Sequence, residues 1–185
     1  MENFSSVLLE GLIRFGKYPS SDEYILLKSN GYKLFIDLCP NEEITWEPYS
    51  KEGIEYINHP IKDRTPVNKD KEEEFRTLIK YLFQKIRQNK KIYIHCRGGH
   101  GRSAVVAAIL FGRITGQTGE QCLKIIRDAH QNRLEMKPQW RKMGAPQTVA
   151  QKNFVLSELK IYSDYEIKYP YKIDDEGYVV VFFID

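Results

Sequence analysis

One stretch constrains this chain more than any other: Ile92-Tyr93-Ile94-His95-Cys96-Arg97-Gly98-Gly99-His100-Gly101-Arg102-Ser103. It reads as a short apolar strand, a glycine-rich loop, and a helix opening at Arg102 or Ser103. Cys96 ends the strand, and Arg102 follows after five residues, three of them glycine. Each part answers a need of phosphate chemistry. Glycines let the backbone curl until successive N–H groups point at one anion. The helix start adds the positive end of its dipole. Arg102 offers a planar pair of donors to two phosphate oxygens, which Lys cannot copy. Cys96 then lies in an anion-binding nest that also favours thiolate, the nucleophilic form of cysteine. A buried inert cysteine beside a helix start needs neither the glycines nor the arginine.

A chain of 185 residues suits one domain with a sizeable core. A net charge of +3 is compatible with an anionic substrate and too small to argue for nucleic acid. The cysteines are Cys39, Cys96 and Cys122. So few, in an odd number and without a signal peptide, imply a reducing compartment, hence a cytoplasmic expectation with the nucleus open, and no disulfide framework. No apolar run is long enough to span a membrane, so no membrane insertion is expected.

The pattern along the chain predicts a strand over Ser6–Ile13 and a turn over Phe15–Pro19. Ser20 and Glu23 form a capping box for a short helix ending near Gly31. Strands follow over Lys33–Leu38 and Ile54–Asn58, separated by a polar loop. The prolines Pro60 and Pro66 bracket a stiff loop. A helix runs from Asn68 or Lys69 to about Gln88, with Phe75, Leu78, Ile79, Leu82, Phe83 and Ile86 on its core face. After Ser103 the helix is apolar enough to be buried on most sides. Thr118 and Gln121 form a second capping box, for a helix reaching about Asn132. Residues 133–145 read as a basic loop carrying Arg133, Lys137, Arg141 and Lys142, and Gln147 to about Leu159 as a last helix. Alternating strands and helices imply an α/β fold, a mainly parallel central sheet flanked by helices. Working sites in such sheets lie at the carboxyl ends of the strands. Cys39, Asp63 and Cys96 each follow an expected strand there.

The His-Cys-X5-Arg-Ser stretch resembles the signature of the cysteine-dependent protein tyrosine phosphatase superfamily, and its Gly-Gly-X-Gly-Arg-Ser form the dual-specificity members. The likeness covers about residues 1–159 as a catalytic domain. It implies hydrolysis of phosphotyrosine or phosphoserine/threonine monoesters on phosphoprotein substrates, through a phosphocysteine on Cys96, with no metal or cofactor. The backbone of Arg97, Gly98, Gly99, His100 and Gly101, with Arg102, would hold the phosphate. Arg97 would also favour a multiply charged substrate. The leaving oxygen needs a proton. Asp63, one helix before Cys96, matches the family's general acid; Asp70 is the alternative, though it fits a helix start. By the same resemblance Ser103 would stabilise the departing thiolate and His95 would order the loop. Gln147 first and Gln151 second would place the hydrolytic water, as in the Gln-Thr-X-X-Gln motif of tyrosine-specific members. Cys39, in its Leu38-Cys39 context, resembles a redox partner of the nucleophile in lipid phosphatases of the family. Cys122 is expected in the core.

Two departures matter. No Lys-Asn-Arg-Tyr segment is present to sandwich a phosphotyrosine ring, which favours a shallower, dual-specificity site. The loop also lacks the lysine pair of inositide-specific relatives. An RNA 5′-phosphatase or phosphoinositide phosphatase with the same chemistry, which the basic loop 133–145 allows, is the alternative enzyme. A non-catalytic phosphate-binding module is the alternative without turnover. Residues 160–185 do not fit the family template. Asp174–Gly177 read as a turn and Tyr178–Ile184 as a strongly β-prone strand. Exposed, such a strand invites aggregation. It is expected as a hairpin or added edge strand, packed on the domain or pairing with a second chain in a homodimer.

Overall fold

The structure is a computed structural model and describes residues 4–134, 136–162, 171–173 and 179–181. Its sheet has five strands in the order β1-β2-β5-β3-β4. These are β1 (Ser5–Leu8), β2 (Ile13–Lys17), β3 (Leu34–Asp37), β4 (Glu55–Asn58) and β5 (Ile92–Cys96). Only the β1–β2 pair is antiparallel. The single strand expected over Ser6–Ile13 is instead two. Leu9 and Glu10 take left-handed backbone angles and Gly11 a φ of 91°, folding the chain back there. The apolar run conceals the reversal because Leu8 and Leu9 before it and Ile13 after it are buried alike. The expected turn at Phe15 is accordingly strand β2.

The helices are α1 (Ser21–Ser29), α2 (Glu72–Arg87), α3 (Arg102–Thr115), α4 (Gly119–Gln131), α5 (Pro138–Met143) and α6 (Val149–Tyr162). Both capping boxes form, at Ser20–Glu23 and Thr118–Gln121. Every residue of α3 is buried. It packs against α2, α4 and α6 and covers β2 and β5, so the core surrounds it. A helix this enclosed holds its N-terminus, and thus Arg102 and Ser103, in one place.

The stretch 133–145 is not a plain basic loop. It contains α5, and two of its cations turn inward. Arg133 is 4% exposed. Arg141 donates to the carbonyls of Gln131 and Arg133. Helix α6 crosses the boundary expected at residue 159. Beyond it, β6 (Tyr171–Ile173) and β7 (Val179–Val181) pair antiparallel as a separate hairpin, not as an edge of the main sheet. The expected turn at Asp174–Gly177 and the strand's end past Val181 lie outside the described residues. Among those described, no helix is long and apolar enough to cross a membrane.

Candidate active site

Strand β5 is the centre of the sheet and buried throughout, and it delivers Cys96 to the sheet's carboxyl edge. The loop from Arg97 to Gly101 then curls over that edge. Gly99 N–H donates to Cys96 Sγ at 3.3 Å. Ser103 Oγ lies 3.6 Å from the same sulfur. The helix cap is Gly101, and Ser103 is the second helical residue, so its hydroxyl faces the sulfur and not a capping position. Gly99 has a φ of +75°, and a Cβ there would lie 2.4 Å from Gly16 C and Lys17 N. Only glycine permits this approach of the loop to β2.

Arg102 is 1% exposed. Its Nη1 donates to Glu43 Oε1 at 3.0 Å and Ile61 O at 2.9 Å, and its Nη2 to Glu43 Oε2 at 2.9 Å. Asp63 Oδ1 is 3.1 Å from Nη2. The end of the guanidinium is therefore clamped by a two-pronged pair with Glu43. Among the described residues its Nε is buried without a partner. Burial opposes the charge on Arg102, but Cys96 and Glu43 outweigh it and hold the guanidinium protonated. An orphaned donor of this kind asks for an acceptor, and a phosphate oxygen in the loop is one.

Asp63 is 57% exposed and stands over this group on the loop after β4. That loop is tied to the first turn of α6 and the residue before it. Thr148 Oγ1 donates to Arg64 O, and Gln151 Nε2 to Thr65 O at 3.2 Å. The residue pair Thr148–Gln151 forms a reciprocal cap of α6. Gln147 thus precedes the helix, and the shared helical face expected for Gln147 and Gln151 does not exist. Both amides still converge: a Cβ on Gly101 would lie 2.9 Å from Gln147 Oε1 and from Gln151 Nε2. Gln151 is committed to cap and loop. Gln147, held only by Met143 Sδ among the described residues, is the freer amide.

Behind the loop, His95 is fully buried among Tyr18, Tyr49 and Tyr93. Its Nε2 lies 2.8 Å from Tyr49 Oη, and its Nδ1 3.7 Å from Asp37 Oδ1. Cys39, at the end of β3, is also buried; burial, then Asp37 and Cys96, push its thiol well up. Cys122 is buried on α4, away from the loop. Arg97 is exposed and lies 5.6 Å from the ring centre of Trp46. His100 Nδ1 meets His130 Nε2 at 2.8 Å, and the His100 ring stacks on Trp140.

Glu43, Arg133, Tyr49 and Asp37 escape a reading of sequence alone. Asp37 carries a signal, since a carboxylate inside an apolar strand needs partners; it has Tyr56 Oη and Cys39 N–H. Glu43 lies in a polar loop where nothing marks it.

The buried imidazoles make acid stability predictable. Burial lowers His95 to about 4; burial, then Arg133, lower His100 to about 4 and His130 to about 3. The unfolded chain regains ordinary histidine affinity near pH 6.5. Between about pH 6.5 and 4 it therefore binds more protons than the folded one, and stability is lost as pH falls through that window. His95 alone amounts to roughly 3 kcal/mol. Urea midpoints should fall steadily from about pH 7 to about pH 5, above the range where carboxylates titrate. A flat profile would contradict the burial of neutral histidines.

These features place the chain in a family. Residues 14–147 match the model of the dual-specificity phosphatase catalytic domain, and the chain belongs to that family. Among proteins similar to it are 067L of Invertebrate iridescent virus 3 and 197R of Invertebrate iridescent virus 6, whose names place them with tyrosine phosphatases. They are 33% and 34% identical over 143 residues, or 76% of this chain. The chain spans 59% and 48% of their lengths. Its fold resembles Tk-PTP in the active form, with a TM-score of 0.66, 22% identity, and coverage of 88% of this chain and 98% of that one. Kinase associated phosphatase with its catalytic-site cysteine changed to serine gives 0.66 and 22%, over 89% and 97%.

Proposed function

We propose that this domain hydrolyses phosphate monoesters of phosphoproteins, on tyrosine and on serine or threonine, through a phosphocysteine on Cys96. The observation that carries the reading is the convergence of Cys96, the partnerless Nε of Arg102 and the exposed Asp63 on one loop. The thiolate attacks phosphorus as the ester P–O bond breaks, and Asp63 gives its proton to the leaving oxygen. The loop N–H groups and Arg102 hold the equatorial oxygens, where charge accumulates. Asp63, now ionised, takes a proton from a water steadied by Gln147. That water's oxygen bonds phosphorus, the S–P bond breaks, and inorganic phosphate leaves. Ser103 donates to the restored thiolate.

Hydrolysis of p-nitrophenyl phosphate with EDTA present tests this. Turnover should persist with EDTA and disappear in Cys96→Ser. In Asp63→Asn it should fall by about 10²–10⁴-fold and lose the basic limb of its pH profile. No turnover from folded, reduced protein would favour a module that only binds phosphate. The RNA alternative relies on the basic stretch 133–145, and burial of Arg133 takes one of that stretch's four arginine and lysine charges from the surface.

Cys39 is proposed to capture oxidised Cys96. Peroxide converts the Cys96 thiolate to sulfenic acid; the Cys39 sulfur then displaces its hydroxyl, forming a disulfide and releasing water. Peptide mapping after mild peroxide should recover a Cys39–Cys96 link, and its absence from a peroxide-inactivated sample would rule the pair out. The extension 160–185 is proposed to pack on the domain or on a second chain, and sedimentation of a chain ending at residue 161 would separate the two. The reducing cytoplasm is the compartment proposed for a working thiolate.

A further inference from the structure

We infer that Arg133 is a positioning residue for the nucleophile: a buried cation behind the phosphate loop that fixes the loop and is counterbalanced by the Cys96 thiolate. Arg133 follows α4 and reaches inward between β1, β2 and the loop. Its Nη1 donates to Gly99 O at 2.8 Å, its Nη2 to Phe15 O at 3.0 Å and its Nε to Ser6 Oγ at 2.7 Å. All three acceptors are neutral. Among the described residues no carboxylate pairs with it. A second arginine, Arg141, holds its backbone carbonyl at 2.8 Å.

A buried guanidinium without an acid is costly. Burial lowers Arg133 to about 10, while Tyr93 and Cys96 act to hold its proton. Tyr93 cannot be the counter-ion. Burial holds its phenol neutral, and its hydroxyl donates to Lys17 O at 2.7 Å. The neighbouring imidazoles of His100 and His130 are kept neutral too. Cys96 is the group left to carry the balancing negative charge.

The two arginines therefore divide the work. Arg102 faces the loop from the side of Asp63 and Glu43, which already offset its charge. Arg133 acts from behind, and among the described residues no carboxylate offsets its charge. Its bond to Gly99 O also anchors the residue whose own N–H reaches Cys96 Sγ at 3.3 Å. The other titratable groups around Cys96 are His95, which is neutral, and Cys39, which remains a thiol. Neither replaces the cation.

The inference rests on Cys96 being the nucleophile but not on turnover, so it is tested by alkylation. The rate of Cys96 carboxamidomethylation by iodoacetamide, located by peptide mapping, is followed against pH. Arg133→Gln should move the midpoint up by about one pH unit, which is about a tenfold slower reaction on the acidic side. Arg133→Lys keeps the charge and should leave the midpoint in place, while the loss of the three-point grip lowers kcat on p-nitrophenyl phosphate with little change in KM. An unmoved midpoint in folded Arg133→Gln would overturn the inference. Should Arg133→Gln not fold, Arg133→Lys decides: a midpoint raised by a full unit, or an unchanged kcat, would overturn it. Failure of phosphatase activity in the unmodified protein leaves the alkylation result readable, so the two ideas fail separately.

Discussion

Arg102→Lys is expected to lower kcat/KM by about 10³-fold or more, with the chain still folded. Removing one preorganised donor from a developing oxyanion costs about 10²–10³ in rate, and here a charged, planar group with several donors is lost. The guanidinium does two things in one plane. Its Nη atoms bind Glu43, Ile61 O and Asp63, and its Nε is left for a phosphate oxygen. An ammonium has no fixed edge and cannot do both. Lysine should settle on Glu43, leaving the phosphate loop without its lateral donor. The loss should fall on kcat as well as KM, because the oxygens gain charge as the bond to the leaving group breaks. Steady-state kinetics on p-nitrophenyl phosphate would show it. A variant within tenfold of the parent would mean that the backbone N–H groups suffice.

The second large effect is expected from Gly99→Ala. The new Cβ would lie 2.4 Å from the backbone of Gly16 and Lys17, in a φ of +75° that side chains rarely adopt. Neither neighbour is the flexible end of a side chain, so the loop must move. Its movement breaks Gly99 N–H to Cys96 and Gly99 O to Arg133 together. Misplacement by about 1 Å is enough for about a 10²-fold loss in rate, and strained backbone of this kind costs about 1–3 kcal/mol. Gly98→Ala is the control. Gly98 is exposed, and a Cβ there meets only the His100 ring at 3.1 Å. It should retain most activity, and equal damage from both changes would refute the close-approach account.

How much of this is legible in the sequence follows from which interactions are local. The strand–loop–helix around Cys96 is, because spacing and glycine content encode it. So are the capping boxes at Ser20 and Thr118, each decided within four residues. The β1–β2 hairpin is not, since a reversal through Leu9 and Glu10 uses none of the usual turn residues except Gly11. Burial of Arg133 is equally silent: its acceptors, Ser6, Phe15 and Gly99, lie far away in the chain. A guanidinium bonded to distant oxygens has the same local pattern as one in solvent. Glu43 is hidden for the same reason, its partner Arg102 lying beyond three further elements. Gln147 and Gln151 reach the loop together, though by a cap and a preceding turn instead of a common helical face. What remains hard to read is which polar side chains fold inward to hold a site whose main atoms are plain.

The account stands on a phosphoryl group carried by Cys96. Folded protein mixed rapidly with excess p-nitrophenyl phosphate, quenched by denaturation within the first turnovers and digested for mass spectrometry, tests it most directly. One phosphoryl group should appear on the peptide bearing Cys96, and more of it in Gln147→Ala, where attack by water is slowed. Turnover with Cys96 unmodified at every quench time, or with phosphate on another residue, would contradict it.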